Sequence, residues 1–151
     1  MRGVYVAQID IAALSASKTI LHGDVASSIA IEILSANVTN LDTNTAEQLI
    51  LRLSRISTKG SPTGTEVTPN KTEVASATSL VTWLGDLTAE PTTYGSIIDI
   101  QGANNLGGYF YDPLPECRQI IAPGIAFGLK LLDTPTTTFR CVAQITYREI
   151  G

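Results

Sequence analysis

The chain has 151 residues and 16.0 kDa, a one-domain length that can hold an apolar core without help from metal or disulfides. Only 16% of residues are charged, against a usual share of about 25%, while 19 Thr and 11 Ser supply the polarity. The net charge is −4, and four Lys and six Arg are scattered without a basic stripe, which argues against a nucleic-acid binder.

Residues 4–13 alternate Tyr5, Ala7, Ile9 and Ile11 against Val6, Gln8 and Asp10, the period of a half-buried strand. Residues 19–21 form a short apolar stub that stops at His22-Gly23-Asp24, read as a turn, with His22 exposed in it. Residues 28–38 make a second long strand. Residues 48–56 fit both periods: Leu49, Leu51 and Leu53 alternate, but Leu49, Leu53 and Ile56 fit a helix, and Asn44 with Glu47 offers a capping box. A strand is favoured because Gln48, Arg52 and Ser54 then share the outer side.

Residues 59–70 carry Gly60, Pro62, Gly64 and Pro69 and read as a loop, and residues 70–77 allow one short helix. A strand surrounds Trp83 at 80–84, with Trp83 as a core residue, and 87–94 is a turn region around Glu90-Pro91. Residues 97–101 are a strand. Gly107-Gly108 then leads into Tyr109-Phe110-Tyr111. Strand alternation allows Phe110 to enter the core with both tyrosines facing out, beside the proline loop Asp112-Pro113-Leu114-Pro115. That places Tyr109, Tyr111, Pro113 and Pro115 as candidate partner contacts, since outward tyrosines bury much area at low entropic cost. Residues 119–122, 125–132 and 138–150 complete the strands, the last two joined at Asp133-Thr134-Pro135.

The whole is predicted to be all-β: one two-sheet β-sandwich over residues 1–151, jelly-roll-like, with eight or nine strands. The phrase Val-Ala-Gln-Ile occurs at Val6 to Ile9 and again at Val142 to Ile145, in the first and last strands. Those two strands are predicted to be neighbours in one sheet, with the phrases in similar half-buried positions.

Catalytic patterns are weak. Ser15-Ala16-Ser17-Lys18 matches S-x-x-K without its partner motifs, and a polar turn explains it. His22 is the one histidine, and neither a G-x-S-x-G elbow nor zinc-ligand spacing links it to Cys117 or Cys141. The two cysteines are read as reduced thiols, with a single bridge left open. Asp10 and Glu32 lie within strands and are expected to face solvent. No catalytic residue, metal or cofactor is expected, and no membrane span or signal peptide is read from the sequence, so synthesis and retention in a cytoplasm are the expectation.

Several phrases together resemble the small decoration (cement) proteins of tailed-bacteriophage capsids. They are Met1-Arg2-Gly3-Val4-Tyr5, Glu32-Ile33-Leu34-Ser35-Ala36-Asn37-Val38-Thr39-Asn40, and Arg55-Ile56 followed by the Pro/Thr/Gly loop at 60–68. Tyr111-Asp112-Pro113-Leu114-Pro115-Glu116, Ile121-Ala122-Pro123-Gly124 and Tyr147-Arg148-Glu149-Ile150-Gly151 continue the likeness. The resemblance implies a jelly-roll-like sandwich, a homotrimer, and a place on the outer capsid surface of the virion, bound to the major capsid protein after synthesis in the host cytoplasm. It carries over no catalytic or contact residue. The alternative is a β-sandwich binding module of a phage fibre or tail that recognises a host glycan or protein.

Overall fold

Period-two alternation, β-branched residues and turn residues at short intervals give antiparallel strands throughout. The computed structural model describes residues 3–42 and 46–151, which form β1 (Gly3–Leu14), β2 (Lys18–Val25), β3 (Ala30–Asn40), β4 (Gln48–Thr58), β5 (Thr63–Val67) and β6 (Asn70–Lys71). They continue as β7 (Val81–Ala89), β8 (Thr93–Asn104), β9 (Tyr109–Tyr111), β10 (Ile120–Ile121), β11 (Ala126–Leu131) and β12 (Phe139–Ile150). One 3-10 turn, Pro115–Cys117, is the sole helical element among the described residues.

The strands form two sheets of a β-sandwich. The first runs β10-β3-β12-β1-β6, with β9 also on β3, and the second runs β5-β7-β2-β11-β4-β8. The count exceeds eight or nine because short pieces add to the long strands. Residues 59–70 are not all loop: Thr65, Glu66 and Val67 pair with Gly85, Leu84 and Trp83, so β-branched threonines prevail over the nearby Pro and Gly. No helix forms at 70–77, where β6 pairs with β1 instead. The capping-box residue Asn44 lies outside the described residues.

The turn expected at His22-Gly23-Asp24 is also absent. β2 continues through it to Val25, and Gly23 is there for packing: a Cβ at Gly23 would come 2.6 Å from Phe127 Cε1 and 3.1 Å from Trp83. Trp83 is buried as expected. It meets Phe127 edge-on at 5.2 Å and Tyr147 at 5.3 Å, and its Nε1 donates to the Tyr147 hydroxyl at 3.1 Å. This aromatic centre joins the inner faces of both sheets.

β1 and β12 are neighbours, as the matched phrases predict. Gln8 lies opposite Gln144, Ala7 opposite Ile145 and Ile9 opposite Ala143. In both phrases the Ala and Ile are buried, while the Val and Gln point outward.

Candidate partner-binding surface

Pairing with β3 decides which side each residue of β9 takes. Tyr109 lies opposite Val38, Phe110 opposite Asn37 and Tyr111 opposite Ala36. Directly opposed residues share a face, and Val38 and Ala36 are core. Tyr109 is therefore fully buried and Phe110 is 57% exposed, the reverse of the expected arrangement. Tyr111 is half-buried against the core cluster. The buried Tyr109 hydroxyl donates to Asp99 Oδ2 at 2.8 Å, and burial together with that carboxylate raises its pKa well above the ordinary phenol value. Gly108 opens β9 at φ +80, where a Cβ would lie 2.5 Å from the Val38 carbonyl oxygen. Of the predicted contacts, Pro115 is exposed and Pro113 half-buried, but Tyr109 cannot reach a partner. Leu114, 65% exposed between the prolines, was not foreseen.

β9 and β10 occupy successive stretches of one edge of β3, above β8 at the edge of the other sheet. Polar bonds close this side of the sandwich. Arg55 donates to Gln119 Oε1 and the Ile120 carbonyl, both at 3.1 Å, and to Ser96 Oγ at 3.3 Å. Gln101 Nε2 donates to Asp99 Oδ2 at 2.8 Å and to the Phe110 carbonyl at 3.0 Å. Beside these links lies an open groove of about 460 Å³ floored by Ile56 and walled by Gly95, Ile120, Ala122 and Ile125. Ile50, Ile97, Ile100, Phe110, Leu114 and Ile120 are all more than a third exposed, and all lie on β4, β8 or the β9-to-β10 segment. Ile50, Ile97 and Ile100 stand on the outer face of the second sheet, and Phe110 and Ile120 on the outer face of the first, so exposed apolar residues lie on both faces near this edge.

The outer face of the first sheet continues from it. Phe110, Asn37, Gln144 and Gln8 stand in one row across four strands. Val6, Thr146 and Ser35 form the next row, and Asp10, Val142 and Thr39 the one before. Charges lie at the ends and are paired. Asp10 accepts from Arg140 Nε at 3.0 Å, and this hydrogen bond holds its carboxyl below the usual pKa. Glu32 pairs with Arg148, and Arg118 lies 3.8 Å from it. Asp10 faces solvent as expected, whereas Glu32 points outward but is buried under its two arginines.

The other candidates do not assemble. Ser15 is exposed, Ser17 donates to the Leu131 carbonyl at 3.0 Å, and Lys18 is bound to Asp86 at 2.6 Å, so Lys18 is not placed as a base for a serine. His22 is buried on the outer side of β2, beside a 250 Å³ cleft whose other walls include Asp24, Lys59, Ser61 and Pro62. Neither ring nitrogen has a hydrogen-bond partner among the described residues, and desolvation lowers its pKa. Cys117 is exposed, Cys141 is buried, and both are free thiols. Among the described residues no three His, Cys, Asp or Glu side chains are placed to hold a metal.

No protein-family model, curated protein or solved structure matches the chain. The outer face of the first sheet carries an uncharged row, Phe110-Asn37-Gln144-Gln8, across its middle.

Proposed function

We propose that this chain is a structural protein without catalytic role: a decoration (cement) protein on the outer surface of a tailed-phage capsid, a homotrimer seated where major capsid subunits meet. The observation that carries the reading is the uncharged row Phe110-Asn37-Gln144-Gln8 across the outer face of the first sheet, ending on the exposed Phe110 ring. A cement protein needs such broad contact surfaces, since stable interfaces bury about 1,200–2,000 Å². Three linked copies then gain avidity from contacts that are weak one by one. The phrase-level resemblance to decoration proteins supports the same reading.

The finer fold assignment is a jelly roll with an insertion. The order β1-β12-β3-β9/β10 over β2-β11-β4-β8 supports it, being that of two four-stranded jelly-roll sheets, with β5, β6 and β7 added at the opposite edges. The test is to mix purified protein with expanded capsids that lack it. Saturable co-sedimentation and a rise in shell disruption temperature are expected; no binding would refute the reading.

A second reading, a host-glycan binding module of a phage fibre or tail, is favoured by one feature. Phe110 and Asn37 place an exposed ring beside an amide, the pairing that stacks on and hydrogen-bonds a sugar. It requires glycan-array binding that is lost in Phe110→Ala.

A further inference from the structure

We propose that residues 59–62 are a strap across the outer face of the second sheet, latched by Lys59 on Asp24 and released when His22 beneath it takes up a proton. β4 and β5 are separated in the sheet by β11, β2 and β7, so their link must pass over those strands. The face it passes over is the outer one. A Cβ on Gly23 would point at Phe127 and Trp83 in the core, so its neighbours His22 and Asp24 point the other way. Lys59 forms an ion pair with Asp24, and Ser61 and Pro62 stand with His22, Thr82 and Leu84 around one cleft. The turn at 90–92 lies alongside. Glu90 is bound to Thr19 of β2, and Gly60, at φ +64, sits so close to Thr92 that a Cβ would collide with its hydroxyl.

His22 is what this cover hides. It is 2% exposed, and neither ring nitrogen has a hydrogen-bond partner among the described residues. A neutral imidazole tolerates that position better than an imidazolium, whose two N–H groups would both need acceptors. The charges around the ring come from three elements. Asp24 lies two residues on along the same face of β2, Lys59 on the strap and Glu90 in the adjoining turn. β11 and β7 oppose the ring with Gly128 and Leu84, which carry no charge, and Lys130 of β11 is bound to Glu90. Glu90 already accepts from Thr19, Tyr94 and Lys130, whereas Asp24 holds Lys59. A proton on His22 therefore sets two cations against each other over Asp24. Opening the strap separates them and lets water reach the ring. The strap is the element that can give way: residues 59–62 belong to no strand, and Lys59, Gly60 and Ser61 are exposed. His22 is the chain's one histidine, the side chain whose ordinary titration range is mildly acidic.

The test follows the protein by NMR from about pH 7.5 down to about pH 4. The His22 ring protons report its titration, and nitrogen-15 relaxation of the Gly60 and Ser61 amides reports the strap. Leu21 and Leu53, which both pair with Leu129 in the buried ladder, are the controls. Strap order parameters of about 0.85 are expected at the upper pH, falling below about 0.6 with the His22 midpoint, while the controls stay at about 0.85. His22→Gln should keep the strap ordered throughout. Lys59→Met should loosen it at the upper pH and raise the His22 midpoint. A strap that stays ordered while His22 titrates, or a ring still neutral at the lower pH, would overturn the proposal. Controls that lose order in the same step would mean global unfolding, and loosening that persists in His22→Gln would assign it to the carboxylates; either result also overturns it. Should His22→Gln fail to fold, an unchanged His22 midpoint in Lys59→Met does the same.

Discussion

The Tyr109 hydroxyl donates to Asp99 Oδ2 at 2.8 Å and thereby joins β9 of one sheet to β8 of the other. With the Gln101 and Arg55 bonds it fixes the spacing of the sandwich where the apolar surface lies. The side proposed to meet partners is thus held rigid, which lowers the entropic cost of association.

Neighbouring aromatics on β9 should respond in opposite ways. Tyr109→Ala empties a core site and is expected to cost about 3–5 kcal/mol. Phe110→Ala removes an exposed ring and should change stability by less than about 0.5 kcal/mol. Urea unfolding of the two variants measures this; equal losses would mean that β9 does not keep this pairing with β3.

The two thiols should differ in reactivity. Burial, with Asp10 and Asp86 adding to it, pushes the Cys141 thiol up to about 12, whereas Cys117 is exposed. A thiol reagent at neutral pH should label one cysteine quickly and the second only in denaturant. Rapid labelling of both would contradict the burial of β12.

His22 should make stability fall in mildly acidic solution. Its folded pKa lies below the ordinary 6.5 because burial disfavours the charged ring, Asp24 and Glu90 favour it and Lys59 opposes it. Above 6.5 the ring is neutral folded or unfolded and adds no slope. Below that value the unfolded chain takes up the proton first, so stability drops until the pH passes the lower folded value. Unfolding free energies at about pH 7.5 and about pH 5.5 should differ in wild type, and His22→Leu should flatten the difference.

Glu90 fastens the turn between β7 and β8. It accepts from the Thr19 amide, the Thr19 hydroxyl and the Tyr94 hydroxyl, each at 2.7 Å, and from Lys130 at 3.0 Å. Burial works against its ionisation, but these bonds prevail and hold its pKa below 4.5. Its contribution is present above that value and lost as pH falls through the folded pKa, a window below that of His22. Glu90→Gln must turn an amide N–H₂ toward donors and should cost about 1–3 kcal/mol at neutral pH, read from the denaturation midpoint.

Much of the architecture was legible in the sequence because strands announce themselves by alternation. The long strands, the core position of Trp83 and the pairing of the two Val-Ala-Gln-Ile segments all follow from period two. Tyr109-Phe110-Tyr111 defeats the same rule, because both phases of three aromatics are equally apolar. Only the partner strand, with Val38 and Ala36 inward and Asn37 outward, selects one. Gly23 misled for a different reason: a glycine beside Asp reads as a turn, but here it makes room for Phe127 and Trp83. The exposed Ile97, Ile100 and Ile120 carried no local signal, since nothing in a strand's own sequence says that it lies at an edge.

The central claim is tested most directly by counting this protein in purified, intact virions by quantitative mass spectrometry. A decoration role predicts copies in a fixed ratio to the major capsid protein, together with their loss and weakened shells when the protein is deleted. A handful of copies per particle, or none, would contradict it.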